Sequence, residues 1–485
     1  MNMISKQFIK SSVIYSVVGS LPVLSGIILI FFFTSRLTPT QFGINAILLA
    51  LLYIVQIFSS FSLDSYIGIS YLEHKDNPER LKRFVGTVLA GLLAIGAVVV
   101  AGVSLGGNLL FRAVFEDSAE ISFFPFGFLT VVTAVFNGIF KSYSSLLINR
   151  QRPVRFLWLN LASFVLTISL SLVLLHLFPF TLWGPVLGRL IPTFLLSLVS
   201  LALLYREFGF TPDRRFIRGI VSFCTPMFIY AAMLWVVNYI YRFIITHFLV
   251  DPMYAGIFDF AVKVTLLIDI LQVGLSNTIH PRIYTLWQDR QLRESTPEVN
   301  RYYNGFTALT LLAIPLVAVL MPYLIPLLVK KEIYYQSFAF LAILSIGFAT
   351  RGGYYLFLAP LYFFKKTKAL PRVLFLSALF QIAACTILIR YYGLMGAVWA
   401  NFLVKPVEVF LLYLESRKVF RFRFNRWKIL YSPLIFILYV IATEFLKTDG
   451  NRLYIGLSQM ALSFVLVWFT YRKELIPMIR DRLGR

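Results

Sequence analysis

The stretch SLPVLSGIILIFFFTSRLTPTQFGINAILLALLYIVQIF, residues 20–58, holds two long apolar runs joined by a short polar turn. Neither run alternates polar and apolar side chains in the way a membrane β-strand does. Each is long enough for a helix to cross about 30 Å of hydrocarbon, which takes roughly 20 residues. In the turn, Pro39 keeps the first helix from continuing, and Gly43 lets the second begin in close contact with a neighbour. The stretch reads as a hairpin of two membrane helices.

The same grammar runs along the chain. Of 485 residues, 59% are hydrophobic and 14% charged, where a soluble chain carries about 25% charged residues. An all-α integral membrane protein is expected. Fourteen transmembrane helices are placed at 12–35, 43–68, 84–110, 121–148, 154–177, 182–204, 218–246, 254–281, 304–329, 334–361, 371–389, 393–415, 429–446 and 454–471. The first apolar run, Val13 to Phe33, is too long for a signal peptide and lacks a small-residue cleavage site, so it reads as a span. Cys224 and Cys385 both lie inside apolar blocks, which points to packing and away from disulfides or metal.

The net charge of +23 would suggest nucleic acid in a soluble protein. Here its distribution is topological, and no nucleic acid is expected. With fourteen spans, Arg36, Arg112, Lys330, Lys331, Arg390, Lys447 and Arg452 fall on one side. The other loop residues, among them Lys6, Lys10, Lys75, Arg80, Arg150, Arg214, Arg290, Arg293, Lys366, Arg423, Arg426 and Arg485, fall on the opposite side. Basic residues gather in cytoplasmic loops, so both termini are expected in the cytoplasm.

The chain also resembles itself. KQFIKSS (6–12) is echoed by RRFIRGI (214–220), Pro39 and Gly43 by Pro252 and Gly256, and LWGPVLG (182–188) by LMGAVWA (394–400), at a near-constant offset. Two six-helix lobes in parallel repeat are expected, at 1–210 and 211–420, followed by two further helices and a basic tail at 421–485. Such repeats are a transporter layout. Nothing in the chain reads as a pore-lining filter.

Six basic residues fall inside spans: Lys141, Arg189, Arg242, Lys263, Arg351 and Lys405. A cation at the bilayer centre costs roughly 2.5–3.5 kcal/mol on insertion scales. Such residues line a cavity, pair with acids, or snorkel. Asp259 and Lys263 are spaced as a helical i,i+4 pair, Asp269 follows on the same span, and Lys405 has Glu408 one turn on. Asp64 lies near the cytoplasmic end of span 2. Arg351, in FATRGGYYLF, has no acid in its own segment and is the leading candidate for substrate contact. The cationic excess suits an anionic substrate, above all a phosphate or diphosphate that arginine grips bidentately. Amides such as Asn45, Gln56, Asn137, Gln272, Gln381 and Asn401 suit sugar hydroxyls or helix contacts alike; Asn401 matches Arg189 in the repeat. There is no P-loop, the four histidines are scattered, and no enzyme signature is present. No cofactor is expected; a proton or sodium gradient, or mass action, would supply the energy.

The whole chain resembles the polysaccharide repeat-unit flippases of the multidrug/oligosaccharidyl-lipid/polysaccharide exporter superfamily. The residues that carry the likeness are the R-L-x-P-x-x-F-G turn at 36–43, FCTPMFIY (223–230), DPMYAGIFDFAVKV (251–264) and YYGLMGAVWANFLVKPVEVFLLY (391–413). One departure is that the turn before Gly256 has no counterpart of Arg36. The resemblance implies alternating access between two lobes, in a bacterial cytoplasmic membrane, to carry an undecaprenyl-diphosphate-linked oligosaccharide from the inner to the outer leaflet. It also implies a cationic cavity, consistent with Arg189, Arg242, Lys263, Arg351 and Lys405. Expected partners are that glycan, membrane lipid, and a polysaccharide polymerase and glycosyltransferases, with the transporter itself monomeric. The competing readings are a flippase for the lipid-linked peptidoglycan precursor and a multidrug or cation antiporter of the same superfamily. The antiporter would want an acidic cavity. A glycan polymerase or ligase would want a large outer loop, and this chain has none.

Overall fold

The computed structural model describes residues 15–483, apart from 16–17, 20, 116–121, 290–293, 422 and 449. Among the described residues there are helices and connecting turns and no strand. Lys6, Lys10, Arg290, Arg293, Arg485, the KQFIKSS segment and the first residues of span 1 lie outside them.

The chain forms two compact units, Met1–Gly256 and Ile257–Arg485. In the first, α1 (Leu21–Arg36) leads through the RLTPTQFG turn into α2 (Pro39–Ser60). Then come α3 (Leu63–His74), α4 (Pro78–Phe115), α5 (Phe128–Asn149), α6 (Pro153–Leu177), α7 (Trp183–Phe208), α8 (Ile217–Tyr239) and α9 (Tyr241–Leu249). The most apolar stretch of α2 is 67% buried, and that of α6 only 6%. Thus α2 is an interior helix and α6 an outer one. The core around α2 combines Ile47 and Leu48 with Phe111, Val131 and Ala134. Nearer the other end, Leu63, Phe84, Val88, Tyr143, Leu146 and Leu204 form a second core.

The turn assigns a task to nearly every residue. Thr38 caps α2: its Oγ1 accepts from the amide of Gln41 (3.1 Å), while Gln41 Oε1 accepts from the amide of Thr38 (3.0 Å). This reciprocal capping box satisfies two amides that a helix start leaves open. Pro39 takes the first helical position, where no amide donor is needed. Gln41 Nε2 also donates to the carbonyl of Phe180 (2.6 Å), tying the turn to the α6–α7 connection. Leu37 and Phe42 are fully buried. Gly43 lies against backbone: a Cβ there would sit 1.8 Å from the carbonyl oxygen of Pro252. Gly256 answers it, since its Cβ would come 2.9 Å from the Cα of Gly43. The two Pro-x-x-x-Gly turns therefore pack directly on each other. Asp251 joins them, accepting from the amide of Met253 (2.8 Å) and from Thr40 Oγ1 (3.3 Å).

In the second unit, α10 (Pro252–Asp289, entered from the first) is followed by α11 (Thr296–Leu328), α12 (Phe338–Ile346) and α13 (Arg351–Phe363). The chain ends with α14 (Ala369–Val419), α15 (Ser432–Phe445) and α16 (Arg452–Leu483). The segment carrying α12 and α13 is this unit's interior helix, 72% buried over its most apolar stretch. It packs on α11 and α14, and α11 packs on α16.

By length and composition, eleven described helices could cross a membrane, against an expectation of fourteen from the sequence. This is a multi-pass membrane protein. The difference has three sources. Only a short apolar piece of α1, Leu24–Arg36, qualifies in length. The 38-residue α10, Pro252–Asp289, is long enough but is not among the eleven. The 51 residues of α14 form one helix only nominally, because Gly393 takes φ 56° and ψ −135° in its middle. The two arms fold back on each other: a Cβ on Gly396 would lie 2.0 Å from the carbonyl oxygen of Leu388.

Two predictions follow from these contacts. Gly43→Ala forces a methyl group into the Pro252 carbonyl, which has no room to give, and should cost about 1–3 kcal/mol. Thermal unfolding of the purified protein measures it, with Gly26→Ala as control, because nothing lies within 4 Å of a Cβ at Gly26. The second concerns His74, at the polar end of α3. It is buried between the rings of Phe84 (4.9 Å) and Phe216 (5.5 Å). Burial, helped by the charge of Arg80, holds its pKa below the usual histidine value. A lowered folded pKa means that the neutral ring contributes full stability above the unfolded value, near pH 6.5, and loses it as pH falls through the folded value. Unfolding midpoints should drop below pH 6.5 with a slope of at most about 1.4 kcal/mol per pH unit from this group. His74→Gln should remove that part of the slope.

Candidate functional site

The second unit gathers charge in its interior. Arg351 is the first residue of α13, immediately after a tight 3-10 turn, Gly347–Thr350, that interrupts the buried helix. Its guanidinium lies 4.6 Å from the centre of the Tyr354 ring. Its Nε is buried and has no hydrogen-bond partner among the described residues. From α14, Lys405 reaches the same turn: its Nζ donates to the carbonyl of Leu344 (3.3 Å) and lies 4.1 Å from the Phe348 ring centre. Glu408 and Asp269 both act electrostatically on Arg351 and on Lys405. No ion pair closes among these four groups within the described residues. They form a set of two cations and two carboxylates held in range of one another and uncollapsed.

Glycines make the room. A Cβ at Gly347 would lie 2.6 Å from Cδ of Lys405, so the lysine stem runs through the space that a side chain would take. Gly352 lies against Thr307 of α11, and Gly353 against Val409 of α14. On the far side, Gln272 Nε2 donates to the Phe348 carbonyl (3.0 Å) and to Thr310 Oγ1 (3.2 Å), fixing the turn from α10.

Several sequence expectations change here. Arg351 has acids after all, supplied by α10 and α14. Of the two readings open for Lys405, pairing with Glu408 or lining a cavity, no pair is seen among the described residues: Lys405 turns to the Leu344 carbonyl and the Phe348 ring. Glu408, which is buried, belongs to the Arg351 group; its place one turn beyond Lys405 was the available signal. Asp259 and Lys263 do pair, at 2.8 Å with the carboxylate fully buried. Asn401 is half-buried one turn before Lys405 and makes no hydrogen bond among the described residues.

The other charged candidates, Lys141, Asp64, Arg189 and Arg242, lie in the first unit. Lys141 is exposed on α5, and Asp64, half-buried in the first turn of α3, is the carboxylate acting on its charge. Arg189 is half-buried on α7, 5.8 Å from the Phe33 ring centre. Arg242 is buried at the junction between α8 and α9, flanked by the rings of Tyr239 (4.8 Å) and Tyr241 (4.7 Å). The amides are mostly structural: Asn137 donates to Gln56 (2.8 Å), and Gln381 contacts Cys385 (3.2 Å).

A family model described as "Polysaccharide biosynthesis protein" matches residues 35–332, from the RLTPTQFG turn to the end of α11 and beyond. The chain belongs to that family. Members of the superfamily named from the sequence also share its fold. The lipid II flippase MurJ, in an inward closed conformation, aligns with a TM-score of 0.65 at 15% identity, covering 92% of this chain and 100% of that one. A multidrug resistance MATE family transporter of the MOP superfamily, facing inward, gives a TM-score of 0.69 at 14% identity over 82% and 94%. A MOP superfamily transporter from Pyrococcus furiosus, described as having a binding pocket of reversed polarity, gives 0.55 at 13% identity over 85% and 95%. A search of curated proteins returns no match. At such identities the likeness is one of fold, and this family member's charges have to be judged on their own geometry.

The link between Gly347 and Lys405 is testable by a double-mutant cycle. Gly347→Leu should displace the lysine stem, and its cost in thermal unfolding should shrink in a Lys405→Ala background. The expected coupling is about 0.5–3 kcal/mol. Additive costs would show that the glycine does not act through the lysine.

Proposed function

We propose that this protein carries a lipid-linked oligosaccharide, borne on undecaprenyl diphosphate, from the inner to the outer leaflet of a bacterial cytoplasmic membrane. The observation that carries this reading is the buried, unpartnered Nε of Arg351 beside Lys405. A buried donor left without a partner costs about 1–3 kcal/mol, which a phosphate oxygen would recover. Arginine binds phosphate through two parallel donors, and lysine adds a point charge. Glu408 and Asp269 keep the cations from being so attractive that the anion never leaves. Tyr354 and Tyr355 beside Arg351 add flat surfaces and hydroxyls suited to a sugar.

The transport cycle would be alternating access by two six-helix lobes at 1–210 and 211–420, within fourteen spans and with both termini in the cytoplasm. A proton or sodium gradient, or mass action, would drive it. No bond in the substrate need be broken, so no catalytic group is assigned. Arg189, Arg242, Lys141 and Asp64 are assigned to the substrate path on their charge and depth alone. Membership of a polysaccharide biosynthesis family favours an oligosaccharide cargo over the peptidoglycan precursor, which shares the diphosphate. A cation antiporter would need a carboxylate open to its substrate. Asp259 is closed by Lys263, and Asp269 faces the field of Arg351.

Cells lacking the protein should accumulate a lipid-diphosphate oligosaccharide, and its sugar composition separates a polysaccharide repeat unit from the peptidoglycan precursor. Arg351→Gln should lower export of the glycan by roughly 10- to 100-fold, the weight of a hydrogen bond to a charged group. Arg351→Lys should retain part of it. Unchanged export by Arg351→Gln, at an equal amount of protein in the membrane, rules out the phosphate assignment.

A further inference from the structure

A second basic site lies where α14 ends and the chain turns into α15. A cavity of about 890 Å³ is lined by Arg417, Arg421, Arg423, Arg426, Phe420 and Phe424, with no carboxylate in its wall among the described residues. The loop cations around it are spoken for in a different way: Lys418 pairs with Glu415 (2.5 Å) and Lys428 with Glu474 (2.5 Å). None of the four arginines is in an ion pair with a carboxylate among the described residues.

The cavity is built into the fold. Asn300 of α11 pins its wall, donating through Nδ2 to the carbonyl of Arg423 (2.9 Å) and accepting at Oδ1 from the amide of Asn425 (3.3 Å). Asn425 Oδ1 in turn accepts from the amide of Lys428 (3.2 Å), starting the helical turn that leads into α15. Phe424 is clamped between Phe357 (5.3 Å) and Tyr413 (6.2 Å). Arg417 is oriented by the Tyr413 hydroxyl, which accepts from its Nη1 (3.1 Å).

Its depth is marked by the residues beside it. Trp427 and Tyr431 are exposed and face each other at 6.1 Å at the start of α15, with Leu430 and Leu434 exposed between and beyond them. Exposed tryptophan and tyrosine at the end of an apolar span sit at headgroup level. Four guanidiniums at that depth, beside a lipid-facing surface, match the chemistry by which basic pockets between membrane helices hold anionic headgroups.

We propose that this pocket binds the phosphate of an anionic membrane phospholipid. The site goes beyond the transport reading and does not involve Arg351. The test uses the full-length protein in detergent with added lipid. Phosphatidylglycerol should raise the unfolding midpoint by about 2 °C or more and should remain bound in native mass spectrometry. Phosphatidylethanolamine and inorganic pyrophosphate should do neither. The Arg421→Gln/Arg423→Gln/Arg426→Gln variant, altered only at exposed side chains, should keep the unliganded midpoint and retain at least tenfold less lipid. The Lys366→Gln/Lys368→Gln/Arg372→Gln variant removes equal charge from another exposed loop and should retain lipid as the wild type does. Equal loss in both variants would reduce the effect to general surface charge and overturn the proposal. So would full retention by the arginine variant, or an equal shift with phosphatidylethanolamine or pyrophosphate. Should the arginine triple variant fail to fold, Arg423→Gln alone is read by the same lipid retention, with retention at the wild-type level counting against the site.

Discussion

In hydrocarbon, a backbone amide or carbonyl without a partner costs several kcal/mol, so a membrane chain must satisfy its backbone within helices. Irregular backbone is tolerable only where protein or water meets the freed groups. The fold of this chain follows that constraint, and its few breaks are therefore informative. Phe61 and Ser62 take left-handed conformations between α2 and α3, directly before Asp64. At Ile240, next to Arg242, α8 passes into α9 through a residue that keeps helical φ and ψ. The 3-10 turn at Gly347–Thr350 precedes Arg351. Each interruption adjoins a charge that the sequence places inside a span. A break supplies both a change of helix direction and open carbonyls, and the Leu344 carbonyl that Lys405 takes is one turn before the 3-10 turn.

The second constraint is electrostatic. A guanidinium in an apolar interior needs compensation, but a closed ion pair would use up its donors. The Arg351 set lies between these limits. Asp269 and Glu408 lower the cost of holding two cations without bonding to them, and aromatic faces at Tyr354 and Phe348 share the load. Asp259 and Lys263, on α10, show the other arrangement, a closed ion pair at 2.8 Å. The closed pair lies along one helix, while the open set is drawn from α10, α13 and α14.

Much of this was legible in sequence because its causes are local. Hydropathy blocks marked the helices, and Pro39 and Gly43 marked the turn between the first two; the helix expected from 43 starts at Pro39, because Thr38 and Gln41 cap it there. The repeat of Pro-x-x-x-Gly was visible too, but not that its two copies touch; that contact joins residues two hundred apart. The same limit hid the acids of Arg351. Glu408 and Asp269 come from other helices, so an arginine with no acid in its own segment looked isolated. Lys405 and Glu408 show the converse: one-turn spacing permits a pair, but Lys405 runs past Gly347 to the Leu344 carbonyl instead.

Glycine connects the two constraints. Membrane helices have no hydrophobic drive to associate within lipid, so close packing must supply the attraction, and small residues permit it. Gly43 and Gly256 bring two helix starts into backbone contact, while Gly352 and Gly353 of α13 make room for the side chains of Thr307 on α11 and Val409 on α14. Gly347 uses the identical device for a different end, since the room that it leaves is filled by a charged side chain. A scaffold that packs through missing side chains can thus hold a lysine in its interior with no enlargement of the bundle. The charge set and the packing are in that sense one feature, and a change at the glycine is a change at the site.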